Sequence, residues 1–231
     1  MKKLIYIFAL PALLLTACGG EEKKEEPNKK QADEAGGGKG NDAHAGSCSF
    51  MLDKESGITI KWEAYKHTAK VPVSGYFEDI TVTSTSSHPE FTGAMENINL
   101  SINTHSINTQ DTSRDRKIEQ FFFDVLTATE TIDGSLKDVE GDMSAGNGTL
   151  SMKFNSIEGS LPFDYKVNGE DVTIIATMDL KKWEALEAVA SLNEVCKEKH
   201  TGDDGITKVW DDVKIVISGK IKKDCEVIAA N

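Results

Sequence analysis

Cys196 and His200 stand four residues apart, the spacing that puts two side chains on one face of a helix, and they are the chemically richest pair in the sequence. A thiol beside an imidazole suits an activated nucleophile or two ligands of a metal such as zinc. Two ligands fall short of a metal site, and Cys196 lies on the apolar stripe of its segment, where it reads as a small hydrophobe. The other histidines, His44, His67, His88 and His105, are scattered; His67 and His105 could join the pair only through the fold. No Gly-x-Ser-x-Gly elbow, His-Glu-x-x-His pair or phosphate-cradling glycine loop occurs, and Asn147-Gly148-Thr149 reads as a turn. The expectation is a protein with no catalytic site, no metal and no cofactor. A metal- or redox-responsive protein using Cys196 and His200 is kept as an alternative. Both arginines, Arg114 and Arg116, fall in one short segment. They suit an anionic head such as a diphosphate, or a structural ion pair with an aspartate of the same helix.

One further cysteine belongs to a different chemistry. Lys2 and Lys3 open the chain, an apolar run from Leu4 to Leu15 follows, and Leu15-Thr16-Ala17-Cys18 closes it. The apolar part is about a dozen residues, short of the ~20 that span a bilayer, and the three parts are those of an export signal. The pattern resembles the lipobox of bacterial lipoproteins, which implies removal of residues 1–17 and lipidation of Cys18. An ordinary secretory signal with a chance cysteine is the alternative. Residues 18–47 read as a flexible tether, rich in charge (Glu21 to Glu26) and glycine (Gly36, Gly37, Gly38, Gly40), with too little apolar surface to offset the entropy of ordering. As a coil, the segment Gly19 to Gly46 would span ~30 Å. Location in the cell envelope follows, on the outer membrane and facing the periplasm or the surface. Losing Lys2 and Lys3 takes the formal net charge from −12 to −14. So acidic a chain is not expected to bind nucleic acid or acidic lipid heads through bulk charge.

Residues 48–231 read as one domain whose elements must position these groups. Ile58, Ile60, Trp62 and Ala64 alternate with Thr59, Lys61, Glu63 and Tyr65, the period of a strand with one covered face. The alternation recurs in Ile98–Ile102, Leu150–Phe154, Leu161–Val167, Val172–Met178 and Val213–Ile217, and more weakly in Val73–Val82 and Val125–Ile132. Asn168-Gly169 and Asp133-Gly134 supply tight hairpins, so successive strands are antiparallel. About eight strands close a small barrel that is filled or holds one ligand. Two helical insertions interrupt it: Arg114 to Phe123, and Lys181 to His200 after an Asp179 cap.

With Cys18 lipidated, three cysteines contest one bridge. Cys48 and Cys225 bracket the domain, on first and last strands that neighbour each other in a closed barrel, so that pairing is favoured; it would contribute ~4 kcal/mol by chain entropy. Cys196 with Cys225 competes, because spacing does not fix connectivity.

Ser106-Ile107-Asn108-Thr109, Arg114-Asp115 and Phe122-Phe123-Asp124, with the earlier Val73-Ser74-Gly75-Tyr76-Phe77, resemble the signature of the YceI-like lipid-binding family over most of Gly57 to Ile221. The resemblance implies a lipocalin-like, mainly β, antiparallel barrel that binds an isoprenoid chain in its interior. The segments Glu194 to His200 and Val209 to Val213 depart from the family pattern and put the ligand's identity in question. Burying a five-carbon unit contributes at most ~4 kcal/mol at ~0.8 per carbon. Association costs ~4–15 kcal/mol, so several units must be enclosed in a long apolar tunnel. Trp62, Phe77, Phe91, Leu100, Ile102, Phe122, Leu150, Met152, Phe154 and Phe163 are the candidate wall, and Arg114 the candidate head-group contact. The function expected is carriage or storage of a hydrophobic molecule, an isoprenoid or fatty acyl lipid. The alternative is a structural or interaction lipoprotein whose barrel is filled by its own side chains.

Overall fold

Period-two alternation becomes strand almost wherever it occurs in the computed structural model, which describes residues 47–226. The expected signal, Cys18 and nearly all of the tether lie outside the described residues. The elements are β1 (Cys48–Leu52), β2 (Thr59–Lys66), β3 (Val71–Phe77), β4 (Ile80–Ser84), α1 (Phe91–Glu96), β5 (Asn99–Asn103), β6 (Ile107–Asn108), α2 (Thr112–Phe121), β7 (Thr131–Gly141), β8 (Ala145–Phe154), β9 (Ile157–Asn168), β10 (Asp171–Asp179), α3 (Leu186–Val195), α4 (Lys197–His200) and β11 (Asp212–Cys225). The strands form one antiparallel sheet in the order β4-β5-β7-β8-β9-β10-β11-β2-β3-β6, with β1 along the end of β11.

The two ends of this curled sheet belong to one bent hairpin. β3 passes into β4, and β5 into β6 through a 3-10 turn (Thr104–Ser106). Tyr76 and Phe77 pair with Asn108 and Ile107, while Ile80 and Val82 pair with Ile102 and Leu100. At the bend the Glu78 N–H donates to the Ser106 carbonyl and the Asn103 N–H to the Asp79 carbonyl, each at 3.0 Å. The sheet has eleven strand segments where about eight were expected; the difference comes from β1 and from the bend that divides two strands into β3 with β4 and β5 with β6.

Several local expectations are corrected. Asp133-Gly134 is no hairpin: both lie inside β7, with Gly134 between Leu100 and Met152 of the flanking strands. Gly148 lies inside β8 opposite Phe163, so Asn147-Gly148-Thr149 is strand and not turn. Val73–Val82 is bent into two strands, and most of Val125–Ile132 is a 3-10 turn (Phe123–Val125) and loop. Asn168-Gly169 does mark a hairpin, but Asn168 pairs with Asp171, leaving Gly169 and Glu170 as the loop. Gly169, with φ of +66°, occupies the first central position, where a type II′ turn needs glycine. The β8–β9 hairpin, which the sequence reading passed over, turns on Asn155 and Ser156 at φ of 52° and 61°, both left-handed as in a type I′ turn.

The helices differ more. The segment Lys181 to His200 is three pieces: a 3-10 turn (Leu180–Trp183) capped by Asp179, then α3, then α4. It breaks because Glu184 adopts a left-handed φ of 51° and Cys196 ends α3 without a helical backbone angle. The short α1 was not anticipated; it packs against β7 and β1 with Phe91, Ala94 and Met95 buried.

Antiparallel pairing gives the curled sheet two distinct ends. One carries α2, α3, α4 and the Thr201–Asp211 loop. The other carries α1, the Gly169 hairpin and β1. Phe50, Phe91 and Tyr165 fill that second end, with successive ring centroids 5.9 Å apart, and the Tyr165 hydroxyl donates to the Asp142 carbonyl at 3.0 Å. Cys48 and Cys225 are joined there by a disulfide, leaving Cys196 as the free thiol among the described residues, so the Cys196 to Cys225 pairing is not made.

Candidate functional site

Inward-facing residues alternate along every long strand, and between the two ends they enclose a cavity of about 210 Å³. Its wall takes Ile60, Trp62 and Ala64 from β2, Leu100 and Ile102 from β5, Leu150, Met152 and Phe154 from β8, Val172, Ile174 and Met178 from β10, and Val213, Ile215 and Ile217 from β11. Met95 of α1 borders it at the filled end; Ile118 and Phe122 from the α2 segment, Val189 and Leu192 from α3, and Val209 with Trp210 border it at the mouth. Ser135 is the one lining residue with a hydroxyl, amide or charged side chain. Apolar cavities of ~150 Å³ stay dry and take up benzene, so a larger one of the same chemistry suits hydrocarbon and not water.

Of the candidate wall, Trp62, Phe77, Leu100, Ile102, Phe122, Leu150, Met152 and Phe154 line this cavity. Phe163 does not. It is 2% exposed and lies across Gly148, whose added Cβ would meet the ring at 2.6 Å, so it is core outside the wall. Phe91 likewise sits among the rings at the filled end. Arg114 is outside the cavity as well, 3.6 Å from Asp111, the residue that caps α2, in an exposed ion pair. The aspartate beside it is the structural residue: Asp115 Oδ1 accepts from the Thr109 N–H at 2.8 Å and from the Thr109 hydroxyl at 2.6 Å, fixing the approach to α2. Phe122 and Phe123 pack edge to face at 5.2 Å, which presents Phe122 to Phe154 and Phe123 to Phe77.

Sequence reasoning missed the wall residues on the mouth-side connections, Ile118, Phe123, Val209 and Trp210, although the apolar stripes of both helical segments carried part of the signal. One wall group stands out chemically: the indole nitrogen of Trp62 is buried without a hydrogen-bond partner. An unmade bond of this kind costs ~1–3 kcal/mol, and an oxygen reaching it from within the cavity would recover that.

Cys196 and His200 do not join in a site. The His200 Nδ1 lies 3.1 Å from Asn193 Oδ1, and burial, then the charges of Lys66, His67 and Lys117, hold the imidazole down to about 4. His67 and His200 are linked through Lys208, whose carbonyl accepts from the His67 N–H at 2.9 Å and whose N–H donates to the His200 carbonyl at 3.0 Å, while His105 lies elsewhere, in a shallow polar hollow with Asp79 and Glu130. Among the described residues no three His, Cys, Asp or Glu side chains converge as metal ligands would.

A family model described as YceI-like domain matches residues 50–221. A search of curated proteins finds no match. Among solved structures the chain is similar to a polyisoprenoid binding domain from Saccharophagus degradans, with a TM-score of 0.51 at 10% identity over 76% of this chain and 99% of that one. It is also similar to BcnA of Burkholderia cenocepacia (TM-score 0.49, 12% identity, 74% and 99% covered) and to the YCEI protein of Campylobacter jejuni (0.47, 17%, 70% and 90%). With three quarters of its length matched by that family model and strands that curl round an apolar interior, the chain belongs to the YceI-like domain family.

Proposed function

We propose that this protein is a non-catalytic carrier that encloses the apolar chain of a lipid, an isoprenoid or a fatty acyl chain, inside its curled sheet, and that it works in the cell envelope tethered through a lipid on Cys18. The observation that carries the reading is the cavity, apolar along its whole length from Met95 to Trp210, with Ser135 the one polar residue on its lining. A sheet built only as a scaffold would fill that volume, since protein interiors are close-packed and each void forfeits contacts. The similar domain from Saccharophagus degradans is described as polyisoprenoid binding, which supports a hydrocarbon chain as the occupant. The Leu15-Thr16-Ala17-Cys18 pattern supports the anchor. Lipid carriage needs no charged machinery in the cavity, and the wall offers none.

Native mass spectrometry of the purified protein, followed by solvent extraction, tests the carrier reading. A co-purifying lipid, or uptake of added isoprenoid or fatty acid, is expected. An empty protein that takes up neither would overturn it in favour of a structural lipoprotein. For the anchor, Cys18→Ala should move the protein from the membrane to the soluble fraction.

A further inference from the structure

The inward row of β2 runs Ile60, Trp62, Ala64, and the next position on that face is Lys66. A wall row that is apolar for its whole length and ends in an ammonium at the mouth has the polarity of an amphiphile. Lys66 Nζ donates to the Lys199 carbonyl at 2.9 Å, and His67 Nε2 lies 3.0 Å from the same oxygen. An ammonium has three donors, so two remain.

Other basic side chains gather round it. His200 is half-buried, and the charges acting on it are Lys66 and His67 from the end of β2 and Lys117 from α2. Lys117 precedes Ile118, and Asn193, the hydrogen-bond partner of His200, follows Leu192; both apolar neighbours line the cavity. Lys70 and Lys208 reach the same end but lie against the Trp210 ring, 4.3 and 3.5 Å from its centroid. The chain carries 38 acidic side chains against 26 Lys and Arg. Yet the ion pairs among the described residues use Lys70, Arg114, Lys181, Lys220 and Lys222, and neither Lys66 nor Lys117 has a carboxylate partner. Like charges brought together without a counter-ion repel, and an anion placed among them is attracted to each. Charge-assisted hydrogen bonds from such donors are the strong ones.

We infer that the mouth is an anion subsite, formed by Lys66 and Lys117 beside His67 and His200, which holds the carboxylate or phosphate head of a lipid whose chain fills the cavity. The inference rests on the lipid-carrier reading and narrows it from hydrophobic molecules in general to acidic amphiphiles. It also moves the head-group contact from Arg114 on the outer face of α2 to the inward face of β2.

The test compares heads on constant chains, using the purified full chain after bound lipid has been exchanged onto a hydrophobic resin. Dodecanoate is set against dodecanol, and farnesyl phosphate against farnesol, with quenching of tryptophan emission as the readout. At least one acid should bind about tenfold or more tightly than the alcohol of its chain, a difference of about 1.4 kcal/mol. The pair that shows the preference identifies the head as carboxylate or phosphate. Lys66→Gln and Lys117→Gln should each reduce that preference severalfold. Lys117 lies on the helix surface, so its variant keeps the test sound if Lys66→Gln lowers the unfolding midpoint. Acids and alcohols binding alike would overturn the anion subsite and leave the carrier standing. A preference that survives both substitutions would overturn these residues as its source. No binding by any of the four would overturn the carrier reading and the subsite with it.

Discussion

A methyl group added at Gly75 would lie 2.6 Å from Cζ2 of Trp62 and 2.9 Å from both the Asn108 carbonyl and Cγ2 of Thr109. The Asn108 carbonyl is backbone and closes one of those directions, so the indole and the Thr109 side chain must give way. Gly75→Ala should therefore destabilise the fold by about 1–3 kcal/mol, the usual cost of overpacking, and should also weaken lipid uptake. Urea unfolding and a lipid-binding titration check the two effects separately. Asp53 gives a prediction in pH. Hydrogen bonds from Ser56 and from Lys222 hold its carboxyl at about 2, below the ordinary 3.8. A carboxylate depressed in the folded state contributes stability that is complete above pH 3.8 and is lost as pH falls through about 2. Stability measured by urea at pH 7, 4 and 2 should fall in the last interval, and Asp53→Asn should flatten that fall. At this scale the sequence displays the residues but not their reasons. Val73-Ser74-Gly75-Tyr76-Phe77 is visible as a motif, whereas the need for its glycine comes from Trp62, placed opposite only by pairing of β2 with β3.

Strands were legible where side chains alternate and no neighbour contradicts them, as in β2, β8, β9 and β10. Turn chemistry was less so. Asp133-Gly134 has the residues of a hairpin, but Leu100 on one side and Met152 on the other keep it in the sheet, because local preference yields to two ladders of hydrogen bonds. Helical periodicity likewise ran straight through Glu184 and Cys196, where the backbone breaks the segment into three; an apolar stripe shows which face is covered and not where the axis turns. The candidate cavity wall was readable from the strands and nearly unreadable from the connections, since Val209 and Trp210 have no period. At the other end of the sheet, β1 depends on β11. Five residue pairs, from Cys48 with Cys225 to Leu52 with Ile221, align it, the disulfide closes 177 residues of chain, and Asp53 meets Lys222 at 3.0 Å. Replacing both cysteines by serine should lower stability by about 2–5 kcal/mol, measured by urea unfolding, with hydrogen exchange rising first in β1.

Seen whole, the described domain is an apolar sleeve filled at one end by Phe50, Phe91 and Tyr165 and bordered at the other by helices. Its cavity of about 210 Å³ is smaller than the ~300–1,000 Å³ of typical ligand pockets, which limits the chain it can enclose in this state. Across a series of fatty acids from eight to eighteen carbons, affinity should rise by at most ~0.8 kcal/mol per added carbon and then level off once the cavity is full. Calorimetric titration of the series checks this; affinity that keeps rising to eighteen carbons would show that the mouth helices move to admit more. The position of the disulfide adds a mechanical consequence. Tension on the chain ahead of Cys48 is delivered to the domain at the filled end. The bridge hands it at once to the last residue of β11, in shear along a ladder of five pairs, and covalently past the point where β1 could peel away. The helices that border the mouth lie outside that line of force, so a pull on the chain ahead of Cys48 leaves the mouth undisturbed.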